Sequence, residues 1–198
     1  MWDERFATPD YLFGTEPADF LIREGWRIPA GARVLAVADG EGRNSVWLAR
    51  QGHSVVAMDS SAVGLDKARK LAAGAGVAVD FHHADIADWP WTSAAYDAVV
   101  AVFIQFAAPA LREAIFAGMA RTLKPGGLLL LHGYAPRQVD YGTGGPPARE
   151  NMYTLPMLHA ALPGWEILHE ADYDAEIHEG TGHSGVSGLI DFVARKPG

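Results

Sequence analysis

A chain of 198 residues, 49% hydrophobic and 20% charged, is long enough for one domain with a full core and too apolar to be disordered. Its 24 acidic and 16 basic residues give a formal charge of −8, which argues against a broad phosphate-binding face and so against nucleic acid as the main partner. The absence of cysteine excludes disulfides, thiolate metal sites and a cysteine nucleophile, and no segment has the apolar length of a membrane span.

The opening Met1-Trp2-Asp3-Glu4-Arg5 is charged and has no signal-peptide core, so a cytoplasmic protein is expected. Pro17 followed by Phe20-Leu21-Ile22 suggests a helix ahead of the first strand, and residues 1–30 read as a cap segment. From residue 33 to about 134, apolar runs alternate with helical patterns. The runs at 33–38, 54–58, 77–82, 97–103 and 127–133 predict strands, and the intervals 43–51, 61–74 and 108–123 predict helices. In the last of these, Leu111, Ile115, Met119 and Leu123 fall four apart and mark one buried face. Runs such as Ala98 to Ile104 and Leu128 to Leu131 are apolar almost throughout, as in a parallel sheet covered on both sides. The alternation implies right-handed crossovers and a doubly wound α/β fold.

After residue 134 the pattern changes. Ala135 to Asn151 is irregular and rich in glycine and proline, as lids and substrate loops often are. A short helix at 154–161 follows. Two further strand candidates, 165–174 and 186–194, flank a Gly/His-rich segment and read as an antiparallel pair added at the sheet edge. The expected whole is a single domain over 1–198, with a mostly parallel seven-stranded sheet, a cofactor-binding core at 33–134 and a substrate loop with the terminal strand pair at 135–198.

The most informative stretch is Val34-Leu35-Ala36-Val37-Ala38-Asp39-Gly40-Glu41-Gly42-Arg43-Asn44-Ser45, a short strand entering a glycine turn and then a helix. Gly40 and Gly42 allow backbone to pass close to a ligand. The next apolar run, Ser54 to Met58, ends in Asp59, an acid at a strand tip that can accept from both hydroxyls of a ribose. Together they point to a nucleoside-bearing cofactor. A nicotinamide dehydrogenase uses similar parts, but its third glycine would fall at Ser45, and little chain is left for a second substrate domain.

Several separate motifs resemble the class I S-adenosylmethionine-dependent methyltransferases. Val34 to Gly42 looks like their cofactor loop, Asp59 like the ribose-binding acid, and His83-Ala84-Asp85-Ile86 like the adenine-contact segment. Tyr96-Asp97-Ala98-Val99-Val100 is similar to the entry into strand four, and Leu123-Lys124-Pro125-Gly126-Gly127 to the turn before strand five. The Gly-x-Gly-Arg-Asn-Ser arrangement and the opening Trp2 to Phe6 and Tyr11 to Gly14 are similar to the small tellurite-resistance and thiopurine (thiol) methyltransferases. The resemblance implies S-adenosyl-L-methionine as cofactor. It implies backbone at Ala38, Asp39 and Gly40 along methionine and ribose, Asp59 on the ribose, Ser60 beside the adenine, Asp85 on its amino group and the Ile86 N–H on a ring nitrogen. Gly42, Asn44 and Val102 complete that set. Two departures stand out: Ala36 occupies the usual place of an acid and Ala38 that of the first glycine. Either Asp39 or the N-terminal segment is then expected to compensate.

For the acceptor side, Phe103-Ile104-Gln105-Phe106 follows strand four and is unlike the Asn-Pro-Pro-Tyr type that orients an amino group. An aromatic, weakly polar wall suits a soft nucleophile. The leading expectation is therefore methyl transfer to a small-molecule thiol or chalcogen, with N- or O-methylation of a metabolite, or cofactor binding without turnover, as alternatives. Gln105, Tyr134, Arg137 and Tyr141 are the candidate catalytic or substrate-orienting residues. Gln105 reads equally as a packed amide, Arg137 as a surface arginine paired with an acid, and the tyrosines as loop packing. In His178-Glu179-Gly180-Thr181-Gly182-His183 the glycines break any helix, so no metal site is expected and a polar hairpin tip is the reading. Folded toward the substrate entrance, that tip would bring in Glu179 and His183. One of His82 and His83 is expected to face inward, His132 reads as a hydrogen-bonded core residue, and Trp89-Pro90-Trp91 as cover for the adenine side or the core.

Overall fold

A computed structural model describes residues 1–198. After two short helices, α1 (Trp2–Phe6) and α2 (Asp19–Glu24), the chain forms β1 (Arg33–Val37), α3 (Arg43–Arg50), β2 (Ser54–Asp59), α4 (Ala62–Ala75) and β3 (Asp80–His83). It continues through β4 (Tyr96–Val102), α5 (Pro109–Thr122), β5 (Leu123–Tyr134), α6 (Gln138–Tyr141), α7 (Leu155–Ala161), β6 (Glu166–Glu179) and β7 (His183–Arg195). The seven strands lie in the order β3-β2-β1-β4-β5-β7-β6. The first five are mutually parallel, β7 runs antiparallel to β5, and β6 antiparallel to β7. This is the expected doubly wound sheet with its antiparallel edge.

Strand alternation divides the core into two layers. On β1, Leu35 and Val37 join Met58, Val99, Met119, Leu131 and Phe192 on one face. Val34 and Ala36 face the other way, onto Val55, Val100, Leu130, Phe20 and Leu48. The strand order reverses between β1 and β4, so a crevice opens beyond the carboxyl ends of these strands, the usual ligand position in open α/β sheets. The helices start as local chemistry dictates. The Ser61 side chain caps α4 by accepting from the Gly64 N–H at 3.0 Å, and Thr154 caps α7 by accepting from the Met157 N–H at 3.3 Å.

Three elements depart from expectation. β3 starts at Asp80 rather than 77, because α4 ends on left-handed Gly76 and the Val77 N–H still bonds the Ala72 carbonyl. β5 starts at Leu123, so the Lys-Pro-Gly-Gly segment is absorbed into the strand across a register shift at Tyr96/Ala98. The terminal strands are longer than expected, leaving only residues 180–182 as the turn of the hairpin, so most of the Gly/His-rich segment is strand rather than loop. Its glycines are sites of close approach: a β-carbon on Gly182 would lie 2.3 Å from the Phe13 ring, on Gly185 2.8 Å from Thr143 and on Gly188 2.8 Å from Arg137. The neighbouring loops fill the space that side chains would otherwise take.

At the end of β1, Ala38 has φ of 48°, a left-handed conformation that costs an L-residue roughly 1 kcal/mol. Ala38→Gly should therefore raise stability by about 1 kcal/mol, read as a higher urea midpoint at constant slope. An unchanged or lower midpoint would show that the strain is relieved elsewhere.

Candidate active site

The crevice is one cavity of about 630 Å³, within the roughly 300–1,000 Å³ common for small-molecule sites. One half is formed by the ends of β1 and β2 and the turn after β3, through Ala36, Ala38, Asp39, Gly40, Asn44, Asp59, Ser60, Asp85 and Ile86, with Val102 from β4. Trp2, Phe6 and Phe13 of the N-terminal segment close it. The Phe6 ring lies 3.3 Å from where a Gly40 β-carbon would sit, so the turn carries glycine because an aromatic ring rests on it.

Asp59 is buried, accepting from the Gly40 N–H and the Ser61 N–H, each at 2.8 Å. Burial pushes its carboxyl up and those two N–H groups pull it down, with the upward effect larger. One carboxylate thus fixes the glycine turn to the tip of β2. Asp39 accepts from the Ser45 N–H at 3.2 Å and from the Ser45 hydroxyl, across the start of α3. Burial raises the Asp39 carboxyl to about 7, against the Ser45 hydrogen bonds, and nearby Asp59 adds to the rise. Ser45, at the position of the third glycine of a dinucleotide fingerprint, is thus engaged in holding Asp39. Asn44 accepts from the Ala18 N–H at 3.0 Å and so ties the N-terminal segment to the cavity wall. Gly42 corrects its expected role: it lies outside the wall. With φ of 90°, and its would-be β-carbon 2.6 Å from that of Ala68, it lets α3 close onto α4. Asp85 is exposed and accepts from the Ala87 N–H at 2.9 Å, while Ile86 is buried.

The N-terminal cover is anchored by ions that sequence reasoning did not single out. Buried Lys67 on α4 pairs with buried Glu41 of the glycine turn and donates to the carbonyls of Phe6 at 3.2 Å and Asp10 at 2.6 Å. The other Glu41 oxygen accepts from the Leu12 N–H at 2.7 Å. The Leu12 carbonyl in turn accepts from Thr181 and Gly182 at the hairpin tip, at 2.9 and 3.0 Å. Cover, glycine turn and hairpin form one hydrogen-bonded chain.

The other half of the cavity is aromatic. Phe103, held at φ of 55° just beyond β4, packs against Tyr134 at 4.6 Å, His183 at 4.3 Å and His132 at 4.8 Å between ring centroids. Phe106 and the Gly145-Pro146-Pro147 segment complete the wall. The Tyr134 hydroxyl is buried without a hydrogen-bond partner, and burial raises its pKa. Gln105 also lines the wall, but both ends of its amide are engaged by Tyr134, accepting from its N–H at 2.5 Å and donating to its carbonyl at 2.7 Å. It is a packed amide that fixes the end of β5.

Arg137 and Tyr141 are corrected outright, since both lie outside the cavity wall. Arg137 pairs with Asp172 at 2.5 Å and Asp174 at 2.6 Å on the exposed face of β6, and the Tyr141 hydroxyl donates to Asp174 at 2.7 Å. The acids of β6 alternate along the strand, and the loop residues lie against them. Trp89 and Trp91 pack on the core beside α5 rather than on the cavity, and a β-carbon on Gly118 would lie 2.5 Å from Trp91. His82 and His83 are both exposed, so neither faces inward. His132 is a buried core residue stacked on Phe20 at 4.9 Å, its Nδ1 bonding Asp191 at 2.7 Å, and Asp191 is shared with Arg23 and Tyr173.

The hairpin tip does fold back to the cavity. His183 lines it, and its Nδ1 lies 3.3 Å from Glu179 Oε2, the same oxygen that accepts from Arg43 at 2.8 Å. Burial works against the Glu179 charge, but the His183 hydrogen bond and Arg43 outweigh it and hold the carboxyl at about 2. Burial lowers the His183 imidazole below its ordinary value despite the carboxylate. His178, by contrast, is exposed and faces Glu176, so the two histidines do not converge. Arg43 carried one sequence signal, its place directly after the glycine turn; its partner lies 136 positions away.

The sheet order and a crevice walled by a glycine turn and the acid of β2 define a class I methyltransferase fold. Residues 34–127 match the family described as "Methyltransferase domain". Demethylmenaquinone methyltransferase from Clavibacter sepedonicus is 37% identical over 107 residues, 52% of this chain and 41% of that protein, so the chain spans less than half of that relative. The tRNA 5-carboxymethoxyuridine methyltransferase of Escherichia coli K12 is 26% identical over 76% of this chain and 68% of its own. TehB from Haemophilus influenzae superposes with a TM-score of 0.73 at 20% identity, over 88% of this chain and 61% of that one, a likeness of fold. No helix is long and apolar enough to cross a membrane.

Proposed function

We propose that the protein transfers a methyl group from S-adenosylmethionine to a small-molecule acceptor, in the first place a thiol or reduced chalcogen. The observation that carries this reading is the single cavity with two chemically different halves. A carboxylate-and-glycine cradle comes from the methyltransferase domain, and it opens directly onto an aromatic wall of Phe103, Phe106 and Tyr134. When bound, the cofactor supplies an electrophilic methyl on a sulfonium sulfur that keeps the carbon–sulfur electron pair. The chain's part is alignment and exclusion of water. Asp59 accepts from the ribose, Asp39 offers negative charge to the cationic end, Ile86 and Asp85 meet the adenine, and Trp2, Phe6 and Phe13 cover the site. Asp39 then makes up for Ala36, which is buried and apolar at the place where the resemblance to methyltransferases implies an acid.

A small acceptor is favoured over nucleic acid by the charge of −8 and by a mainly apolar wall. Arg137 and Tyr141 take no part. The test is transfer of labelled methyl from the cofactor to a panel of thiols, selenide, small amines, carboxylates and tRNA. Thiols or selenide should accept label; label confined to tRNA or amines would overturn the acceptor reading.

Asp39 gives the cofactor half a pH signature. Its folded value of about 7 exceeds the ordinary 3.8, so the folded protein holds the proton that the unfolded chain has lost between those values. Stability of the free protein therefore falls as pH rises through that window. A cationic ligand favours the ionised carboxylate, so binding at about pH 6 should release close to one proton, and affinity should rise toward pH 7 and then level. Calorimetry in two buffers of different ionisation enthalpy reads this directly. Zero release would remove Asp39 from the site.

A further inference from the structure

Methyl transfer needs a base only if the nucleophile arrives with its proton. The aromatic half of the cavity contains a constellation suited to that task. We propose that His183, oriented by Glu179 and Arg43 at the tip of the β6–β7 hairpin, is the general base of the transfer. The acceptor then enters as a neutral X–H group carried by an aromatic body, a benzylic thiol or a phenol, rather than as a preformed chalcogen anion. This rests on the methyltransferase reading above and narrows its acceptor.

Geometry carries the argument. Glu179 is an ionised, partly buried carboxylate fixed by Arg43, so the neutral imidazole donates Nδ1–H to it and keeps its lone pair on Nε2. No group of the protein engages Nε2, and the ring lines the cavity. A carboxylate behind a histidine that fixes its tautomer and steadies the imidazolium is the arrangement by which a histidine accepts a proton. Beside it stands the Tyr134 hydroxyl, buried and without a partner, its ring 5.6 Å from His183 and set edge-on. Phe13 and Phe103, at 4.4 and 4.3 Å from His183, pack on the imidazole itself and hold its ring, while Phe103 and Phe106 give the cavity an aromatic wall for the body of the acceptor.

In the step itself, the X–H electron pair stays on X and forms the new bond to the methyl carbon, the proton passes to His183 Nε2, and from there it leaves to solvent. The groups facing His183 set its titration. Glu179 on β6 raises its affinity for a proton, while Arg43 on α3, His132 on β5 and burial lower it. Tyr134 on β5 is neutral across the working range. The neutral form is the active one, so turnover should fall at acid pH with an apparent value below 6.5, and Glu179→Gln should move it lower still.

The experiment compares wild type with His183→Gln on benzyl mercaptan and phenol, which stay protonated at about pH 8, and on thiophenol, which is already ionised there. Wild type should methylate at least one of the protonated acceptors. The variant should lose about a hundredfold or more with it and less than tenfold with thiophenol, with cofactor affinity by calorimetry near wild type. Nitrogen NMR of His183 in the S-adenosylhomocysteine complex should report the Nδ1–H tautomer, lost in Glu179→Gln. Equal losses on protonated and ionised acceptors, or the opposite tautomer, overturn the base. A protein that binds cofactor but methylates no aromatic X–H overturns the acceptor class and leaves methyl transfer standing; one that binds no cofactor overturns the methyltransferase reading itself.

Discussion

Asp59→Ala should weaken S-adenosylmethionine binding by roughly 10²–10⁴-fold, the equivalent of two charge-assisted hydrogen bonds at about 1.5–3 kcal/mol each. The proposed role is acceptance from both ribose hydroxyls. The structure adds a second cost. The same carboxylate accepts from the Gly40 and Ser61 N–H groups, so its loss leaves two donors without partners and frees the glycine turn that shapes the cavity. A buried donor left unsatisfied costs about 1–3 kcal/mol, so the melting temperature should fall as well. The two effects separate if affinity is measured well below the variant's melting transition. Unchanged affinity in a folded variant would remove Asp59 from the cofactor site, while lost stability with intact affinity would make it a purely structural clamp.

Lys67→Met is expected to detach the N-terminal cover. Lys67 and Glu41 are a buried pair, and removing one partner of such a pair costs about 3–5 kcal/mol because the other charge stays behind, desolvated. The carbonyls of Phe6 and Asp10 lose their donor at the same time. The cover's other ties, among them Asp3 to Ser61 and Leu12 to Glu41 and the hairpin tip, run to this one side of the domain, so the protein should respond by opening locally before it unfolds globally. Faster amide exchange confined to residues 1–16 and the hairpin tip, cleavage by protease within the cover and weaker cofactor binding should appear together. Unchanged exchange there would mean that the aromatic contacts of Trp2, Phe6 and Phe13 hold the cover without the ion pair.

What could be read from the sequence was what is local. The apolar runs that became β1, β2 and β4, the glycine turn at 40–42 and the acid at the tip of β2 each sit within one continuous segment whose pattern reports its own geometry. Partnerships across the sheet were not legible. Arg43 carries its meaning only once β6 brings Glu179 back across 136 positions, and Gln105 shows itself as a clamp only when the main chain of Tyr134 occupies both ends of its amide. Gly185 suggested a loop because a lone strand gains little from glycine; the covering side chain of Thr143 makes strand the better solution. Arg137 and Tyr141 suggested substrate contacts because they lie in a glycine-rich loop, yet the acids on β6 that capture them are more than thirty positions away.

The most direct test of the account is a calorimetric titration of the purified protein with S-adenosylmethionine, S-adenosylhomocysteine and NAD. Saturable one-to-one binding of the first two and none of NAD is the predicted result. Absence of binding by both sulfur compounds would contradict it, and would mean that Ala36 and Ala38 have closed the cradle to the proposed cofactor.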